Sequence, residues 1–534
     1  MAGWAFGSAG RREWAAAFVV VVAVAGALAG GFPGPAGPPR VPCPNLLQQE
    51  ISQFSLSAEA PAPMNPCPGA FVFSGYLGGS GEEGGPSLDV ATDALGNVYV
   101  AGTTSSADFP ATLGAFDTLL AGPGDGFVAK VNANGSALIW ATFLGGSGSD
   151  SISAVKLDPA GNVVVAGATN SADFPVTPGA LDTSYNGGSV GNGADGFVAI
   201  LSPTGAALSY SSFLGGSKDD GANDVAVDAT GAIFLTGTTQ SRTFPVTQGS
   251  YDVSHNGGQD AFIMKLGPSP DPSLVYSTFL GGSGSDVSKG IALDLEGSAF
   301  VTGLTLPNAG KKANFPTTPG AYDRTSVDQD VFVAKMNAAG SVLVYSTFLG
   351  GSSNSIEHGE SIAVDTAGSA YVTGNTLDPN FPTTPGAFDR IPVVWEAFVT
   401  KFNPAGSALV FSTFLGGSSA DLVHDLTIDS DGYPYVTGFT NSLDFPLTPD
   451  AVDSLRGKSD AFLTRLNVTG DALVYSTYLG GSTNTESGWG IALDVAGNTV
   501  IAGETDAPDF PVTAGSFDTS HNGGMDVFVS KLEP

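Results

Sequence analysis

Lys289, Glu360, His424 and Trp489 each stand five residues before an Asp that closes a short apolar run, at Asp294, Asp365, Asp429 and Asp494. Leu88, Ser153 and Asn223 hold the same place before Asp93, Asp158 and Asp228. All seven occupants differ, although the apolar positions around them are uniform. Brought together, an indole supplies a flat stacking face, while an ammonium, a carboxylate, an imidazole and an amide supply charge and hydrogen bonds. Asn223, Lys289, Glu360, His424 and Trp489 are therefore the candidate ligand contacts. The competing reading is a solvated position free to drift.

Other chemistries have less support. His255, His358, His424 and His521 are scattered, and no Ser-His-Asp set can be picked out. Two catalytic carboxylates, as glycoside hydrolysis uses, cannot be singled out among 51 acids. There is no phosphate loop and no dinucleotide fingerprint. Residues 145–152, Gly-Gly-Ser-Gly-Ser-Asp-Ser-Ile, fit one calcium β-roll nonapeptide, but such rolls need it in tandem. No cofactor is expected, with an ordinary oxygen-ligand calcium site left open among so many carboxylates.

The elements that would position the candidate contacts come from a unit written seven times. Leu-Gly-Gly-Ser recurs with its first Gly at Gly78, Gly145, Gly215, Gly281, Gly350, Gly416 and Gly480, at spacings of 64 to 70 residues. Each unit carries four strand signals: run A ending in Asp, run B of Tyr-Val type, run C of Phe-Val-(Ala/Thr)-Lys type, and run D of Tyr-Ser-Thr-Phe-Leu type. They are short, β-branched or aromatic, and bounded by Gly, Pro, Asn or Asp. Runs A and B are apolar at consecutive positions, which predicts burial on both faces. Four strands per unit with no helices predict an all-β fold, a single seven-bladed β-propeller of four-stranded blades. The first strand after the N-terminal segment is of type D, Phe71 to Leu77, and the last is of type C, Asp526 to Leu532. Each type occurs seven times only if the N-terminal strand closes the last blade.

The text Tyr-Ser-Thr-Phe-Leu-Gly-Gly, Asp-X-X-Gly-Asn-X-Tyr-Val-Thr-Gly, Asp-Phe-Pro and Asp-Ala-Phe-Val-X-Lys resembles the SBBP family of bacterial proteins, named for seven-bladed β-propeller repeats. The resemblance covers about residues 71–534. It implies a propeller on an exported or cell-surface protein and no catalytic residues. Thr243, Asn314 and Asn380 depart from its Asp-Phe-Pro, Ile200 replaces its Lys, and Pro434 begins a B run.

Acids at equal places in every blade read as structural, because chemistry needs one asymmetric site. The Asp closing run A precedes a Gly turn and can accept its N–H groups. The Phe of Phe-Pro reads as a plug between blades, and Trp395 as inter-blade packing. Run A is innermost, so the seven variable residues should ring the channel mouth. The long B–C loops share that face, where a rigid scaffold would carry a partner site.

Ahead of the repeats, residues 1–29 have the charged, apolar, small-residue order of a cleavable export signal: Arg11-Arg12, a run from Trp14, then Ala27-Leu28-Ala29. An uncleaved membrane anchor is the alternative. Residues 30–68 read as a Pro/Ala-rich linker, in which Cys43 and Cys67 can pair if the compartment is oxidising. The propeller is assigned residues 69–534. A formal charge of −32 excludes general nucleic-acid binding, since phosphates would be repelled. Three functions remain: an exported non-catalytic module that binds a protein or glycan at the cell surface, a secreted polysaccharide hydrolase or lyase with acids at the channel mouth, and a structural spacer of a surface layer.

Overall fold

The computed structural model describes residues 69–533 except 188–192, 271, 309–313, 354 and 455–456. The chain divides into two units, Met1–Leu56 and Ser57–Pro534, and every described residue lies in the second. The export signal, the linker and the Cys43–Cys67 pairing fall outside the described residues.

Among the described residues, 28 strands form seven sheets of four. Each sheet is one antiparallel meander in chain order, except the last. There the A, B and C strands Glu486–Leu493, Thr499–Thr505 and Asp526–Leu532 take Phe71–Leu77 as their outer strand. Tyr76 pairs with Phe528 and Ser74 with Ser530. The ring is thus closed by strands from both ends of the repeat region, which leaves no half-paired blade to template aggregation.

The other six blades begin with the A strands Glu83–Thr92, Asp150–Leu157, Asp220–Val227, Ser285–Leu293, Glu357–Val364 and Asp421–Ile428 and are blades 1 to 6; the stitched blade is blade 7. The B strands are buried along almost their whole length, as their unbroken apolar runs predict. The A strands differ from expectation. Asp220–Val227 alternates buried with half-buried residues, because one face packs on neighbouring blades and the other lines an open channel.

The repeated words of the sequence have separate physical jobs. The Asp ending strand A accepts from turn N–H groups, as Asp93 does from Leu95 and Asn97, each at 2.9 Å. It also meets the C-strand cation, as in Lys130–Asp93 (3.1 Å), Lys335–Asp294 (2.9 Å) and Arg465–Asp429 (2.8 Å). The same cation sits over a B-strand ring, with Lys335 Nζ 4.7 Å from the centre of Phe300. In blade 2, Ile200 takes the cation's place, and Asp158 is held by Asn162 instead.

In the Leu-Gly-Gly-Ser connector, the Ser binds the Asp of the next Asp-Phe-Pro. Ser147 donates from both N and Oγ to Asp173, each at 2.9 Å. A Cβ on the second Gly would meet that Asp; on Gly146 it lands 2.7 Å from Asp173 Oδ1. The Phe that follows is buried and lies against C- and D-strand rings, as Phe109 does against Phe127 and Phe143. Phe109 belongs to a core cluster that draws residues from two neighbouring blades, and the rings it touches, Phe127 and Phe143, are those of its own blade.

Candidate functional site

The seven variable residues share a local conformation that their spacing alone does not show. In blades 2 to 7 the register between strands A and B slips at this residue: Ser153, Asn223, Lys289, Glu360, His424 and Trp489 are each skipped. In blade 1 the slip spans residues 85–88 and includes Leu88. A bulge re-aims the extra side chain out of the pleat. All seven line a central cavity of about 760 Å³.

Around that cavity the contacts pass from blade to blade. Asn223 Nδ2 donates to the Ser288 carbonyl at 2.7 Å. Lys289 Nζ lies 3.8 Å from Glu360 Oε2, and His358 Nδ1 lies 3.5 Å from Glu360 Oε1. His424 Nδ1 donates to the Gly488 carbonyl at 2.9 Å, and its ring stacks on Trp489 with centroids 3.7 Å apart. The five predicted contacts are therefore brought together along blades 3 to 7. Leu88 is buried in the core cluster and Ser153 adds only a hydroxyl, so the polar wall is one-sided.

The electrostatics follow from this packing. Burial pushes the Glu360 carboxyl up, but the Lys289 ammonium, aided by His358 and His424, outweighs it and holds the group at about 2. Burial lowers His424 to about 4, against the opposing pull of the Gly488 carbonyl and Glu360. At neutral pH the wall therefore presents one firm carboxylate and one neutral imidazole.

Several residues of this site escaped the sequence reading. His358 faces both Glu360 and Trp395, whose rings meet at 6.1 Å. The φ of Trp395, 29°, is the single positive value for a non-glycine among the described residues. Glu504 accepts from Gly85 N at 2.7 Å, faces the Trp489 indole, and is raised by burial.

Lys156 stands three residues past the bulge, where most blades have Ala, and reaches Asp89 at 2.7 Å. Asp224 and Asp425, at the position of Asp89 in other blades, also surround it. Burial would lower the Lys156 amine, but these three carboxylates raise it. Burial lifts Asp224 to about 7 and Asp425 to about 6, with Lys156 opposing in both cases. Each of the three Asp residues also accepts an N–H from the next blade, Val155, Ile291 or Ile491, at 2.8 to 2.9 Å. A scan for breaks in repetition one and three residues past the variable position would have found this set.

Among the described residues, no group of three or more His, Cys, Asp or Glu is placed to hold a metal ion. Gly145 to Ile152 form the connector into blade 2, where Asp150 accepts from Gly146 N at 2.8 Å. No helix among the described residues is long and apolar enough to cross a membrane.

Three stretches, residues 89–110, 344–382 and 410–446, match the family model of the SBBP β-propeller repeat. No curated protein matches the chain. Similar solved structures include an ulvan lyase of polysaccharide lyase family PL25, 10% identical over 84% of this chain and 96% of that one, with a TM-score of 0.46. A protein of unknown function from Dyadobacter fermentans is 9% identical over 87% and 98%, with a TM-score of 0.39. The endosialidase of phage phi92 is 9% identical over 87% and 69%, with a TM-score of 0.36. Likenesses this distant say nothing of what this chain does. The seven-fold unit and the stitched ring make this protein a seven-bladed β-propeller, three stretches of which match the SBBP β-propeller repeat.

Proposed function

We propose that the protein is an exported, non-catalytic binding module whose channel mouth takes a glycan. The observation that carries the reading is the Trp489–His424 stack beside the Lys289–Glu360 pair, on one side of an otherwise repetitive ring. Sugars are bound by a flat apolar ring face next to fixed charged and hydrogen-bonding groups, and this wall offers both. The blades around it are near-copies, so their uniform acids supply structure while the bulge residues supply identity.

A glycan array of the purified protein, run with and without EDTA, tests the proposal. Binding that Trp489→Phe and Glu360→Gln abolish without unfolding supports it. A protein ligand in place of a glycan, or a spacer role, predicts no array signal.

A polysaccharide hydrolase or lyase is the second reading, favoured by one observation. Glu360 lines the cavity and its Oε1 lies 3.5 Å from His358 Nδ1, an imidazole–carboxylate pair suited to a general base. Polysaccharide turnover lost in His358→Asn but kept in a distant surface variant would establish it over simple binding.

A further inference from the structure

Seven pairs of buried carboxyl groups sit at the seven blade junctions, outside the channel. In each, the acid that begins a C strand faces the acid near the start of the next A strand across the first Gly of Leu-Gly-Gly-Ser. A Cβ built on Gly416 would meet Asp421 Oδ2 at 2.6 Å and Glu396 Oε1 at 2.9 Å. On Gly215 it would meet Asp195 Oδ1 at 2.7 Å and Asp220 Oδ2 at 3.1 Å; on Gly78, Asp526 Oδ1 at 2.5 Å and Glu83 Oε2 at 2.7 Å. Gly145, Gly281, Gly350 and Gly480 lie under the other four pairs in the same way. Only glycine leaves room for two carboxyls at this point.

These acids are almost fully buried: Asp195, Glu486, Asp421 and Asp526 show 0% exposure, and Glu83 and Glu396 show 2%. The chain satisfies only part of each pair. Asp220 Oδ2 accepts from Gly216 N and Ser241 Oγ, and Asp526 Oδ2 accepts from Asn522 N. Several buried carboxyl oxygens of the pairs have no hydrogen-bond donor, among them Asp195 Oδ1, Asp220 Oδ1, Asp526 Oδ1, Glu357 Oε2 and Glu396 Oε1. Two ionised carboxylates cannot be buried against each other in this way, because desolvation and repulsion act together. The Asp330 and Glu357 carboxyls meet beside Gly350, and Asp526 and Glu83 beside Gly78, where a proton between the two would satisfy both. The acids come in twos, and a pair suits one shared proton better than a many-coordinate cation.

We propose that each blade junction is closed by a carboxyl–carboxylate pair sharing one proton, so that closure of the propeller ring is held by acid and weakened by base. On deprotonation the shared O–H bond breaks, the proton leaves to water, and two buried carboxylates remain facing each other.

The surroundings strengthen the effect at most junctions. Asp182 and Asp219 face the Asp195–Asp220 pair, Asp389 and Asp444 face Glu396–Asp421, Asp323 and Asp378 face Asp330–Glu357, Asp117 and Asp173 face Asp125–Asp150, and Asp506 faces Asp460–Glu486. Two junctions have an imidazole as well. His255 faces Asp260 beside Asp252, and His521 faces Asp526 beside Asp518, which gives the matching Ser-His-Asn-Gly-Gly loops a role. Burial first, then the partner's charge, pushes Glu396 up to about 9. Burial, with the partner's charge adding, takes Glu486 to about 8 and Asp195 to about 7.

Urea unfolding of the full chain between pH 5.5 and 8.5 tests the proposal, with Glu396→Gln as the junction variant and Asp471→Asn as an exposed control. The unfolding midpoint of the parent is expected to fall as pH rises. Glu396→Gln should release about one proton fewer on unfolding and outlast the parent at pH 8.5. Asp471→Asn should follow the parent. A parent midpoint that stays flat or rises with pH overturns the proposal, as does a slope that calcium abolishes. If Glu396→Gln fails to fold, the infrared carbonyl band of protonated carboxyl groups in the folded state at pH 7 decides. Its presence in a protein carrying Asp224→Asn, Asp425→Asn and Glu504→Gln, with loss on unfolding, supports shared protons, and its absence overturns them.

Discussion

Trp489 lies flat on His424, with the ring planes 5° from parallel and the centroids 3.7 Å apart. The two residues are 65 positions apart in the sequence but occupy the same bulge in adjacent blades. An imidazole kept neutral by burial can stack on an indole without the desolvation cost of a charge. The Glu360 carboxylate and the Lys289 ammonium supply the charge next to this apolar platform.

Removing the platform should be felt twice. Trp489 packs against the core cluster shared by blades 7 and 1, so Trp489→Ala should destabilise the protein by about 2 to 4 kcal/mol. Trp489→Phe should keep most of that stability while weakening ligand binding tenfold or more, which is about 1.4 kcal/mol. Thermal unfolding and binding titration of the two variants separate the effects, and equal binding by parent and Phe variant would remove Trp489 from the site.

Lys531 should matter more than the other C-strand cations. It is 2.6 Å from Asp494, with both side chains only 3% exposed. It also donates to the carbonyls of Gly96 and Ala133 in blade 1, at 3.1 and 3.3 Å. Lys531→Met leaves Asp494 buried without its cation and cuts a tie across the closure. A loss of about 3 to 5 kcal/mol in urea unfolding is expected; a loss below about 1 kcal/mol would contradict it.

The connector glycines are predicted to differ from loop glycines. Gly416→Ala drives a methyl into Asp421 and Glu396 and should cost about 1 to 3 kcal/mol. Gly258→Ala has its nearest contact at 3.6 Å and should stay within about 0.5 kcal/mol of the parent. Denaturant midpoints of both variants, measured side by side, check the contrast.

Two linkages of opposite sign act on stability against pH. The junction acids have folded-state values above their ordinary ones, so their contribution is intact in acid and lost as pH rises toward about 9. His424 has a folded-state value of about 4, so the unfolded chain takes up its proton first. Its contribution is intact above the ordinary histidine range and lost as pH falls toward 4. With seven pairs against one imidazole, the net midpoint should decline from mildly acid to alkaline pH. His424→Gln should flatten the curve on its acid side alone, and a change on the alkaline side would contradict the assignment.

Much of this was legible because repetition exposes its own exceptions. Seven copies of Leu-Gly-Gly-Ser and the mismatched first and last strands gave the closed ring, and Phe71–Leu77 pairs with Asp526–Leu532 as expected. The variable ring was found because one column differed while its neighbours did not. The bulge at that column stayed hidden, since a register slip leaves no residue-type mark when each copy carries it. Lys156 and Asp89, on the same channel wall, and His358, beside Glu360, were missed because they break the pattern one to three positions away. The junction acids were read singly as structural; that Asp195 faces Asp220 across Gly215 depends on how two blades meet, which no local pattern records.

Isothermal titration of the strongest array glycan into the full chain and into Glu360→Gln, at pH 7, tests the channel-mouth site most directly. The account predicts one site per chain for the parent and at least a tenfold weaker fit for the variant, with the variant still folded at the titration temperature. Equal affinity in both, or binding that survives Glu360→Gln and Trp489→Phe combined, would place recognition elsewhere on the ring.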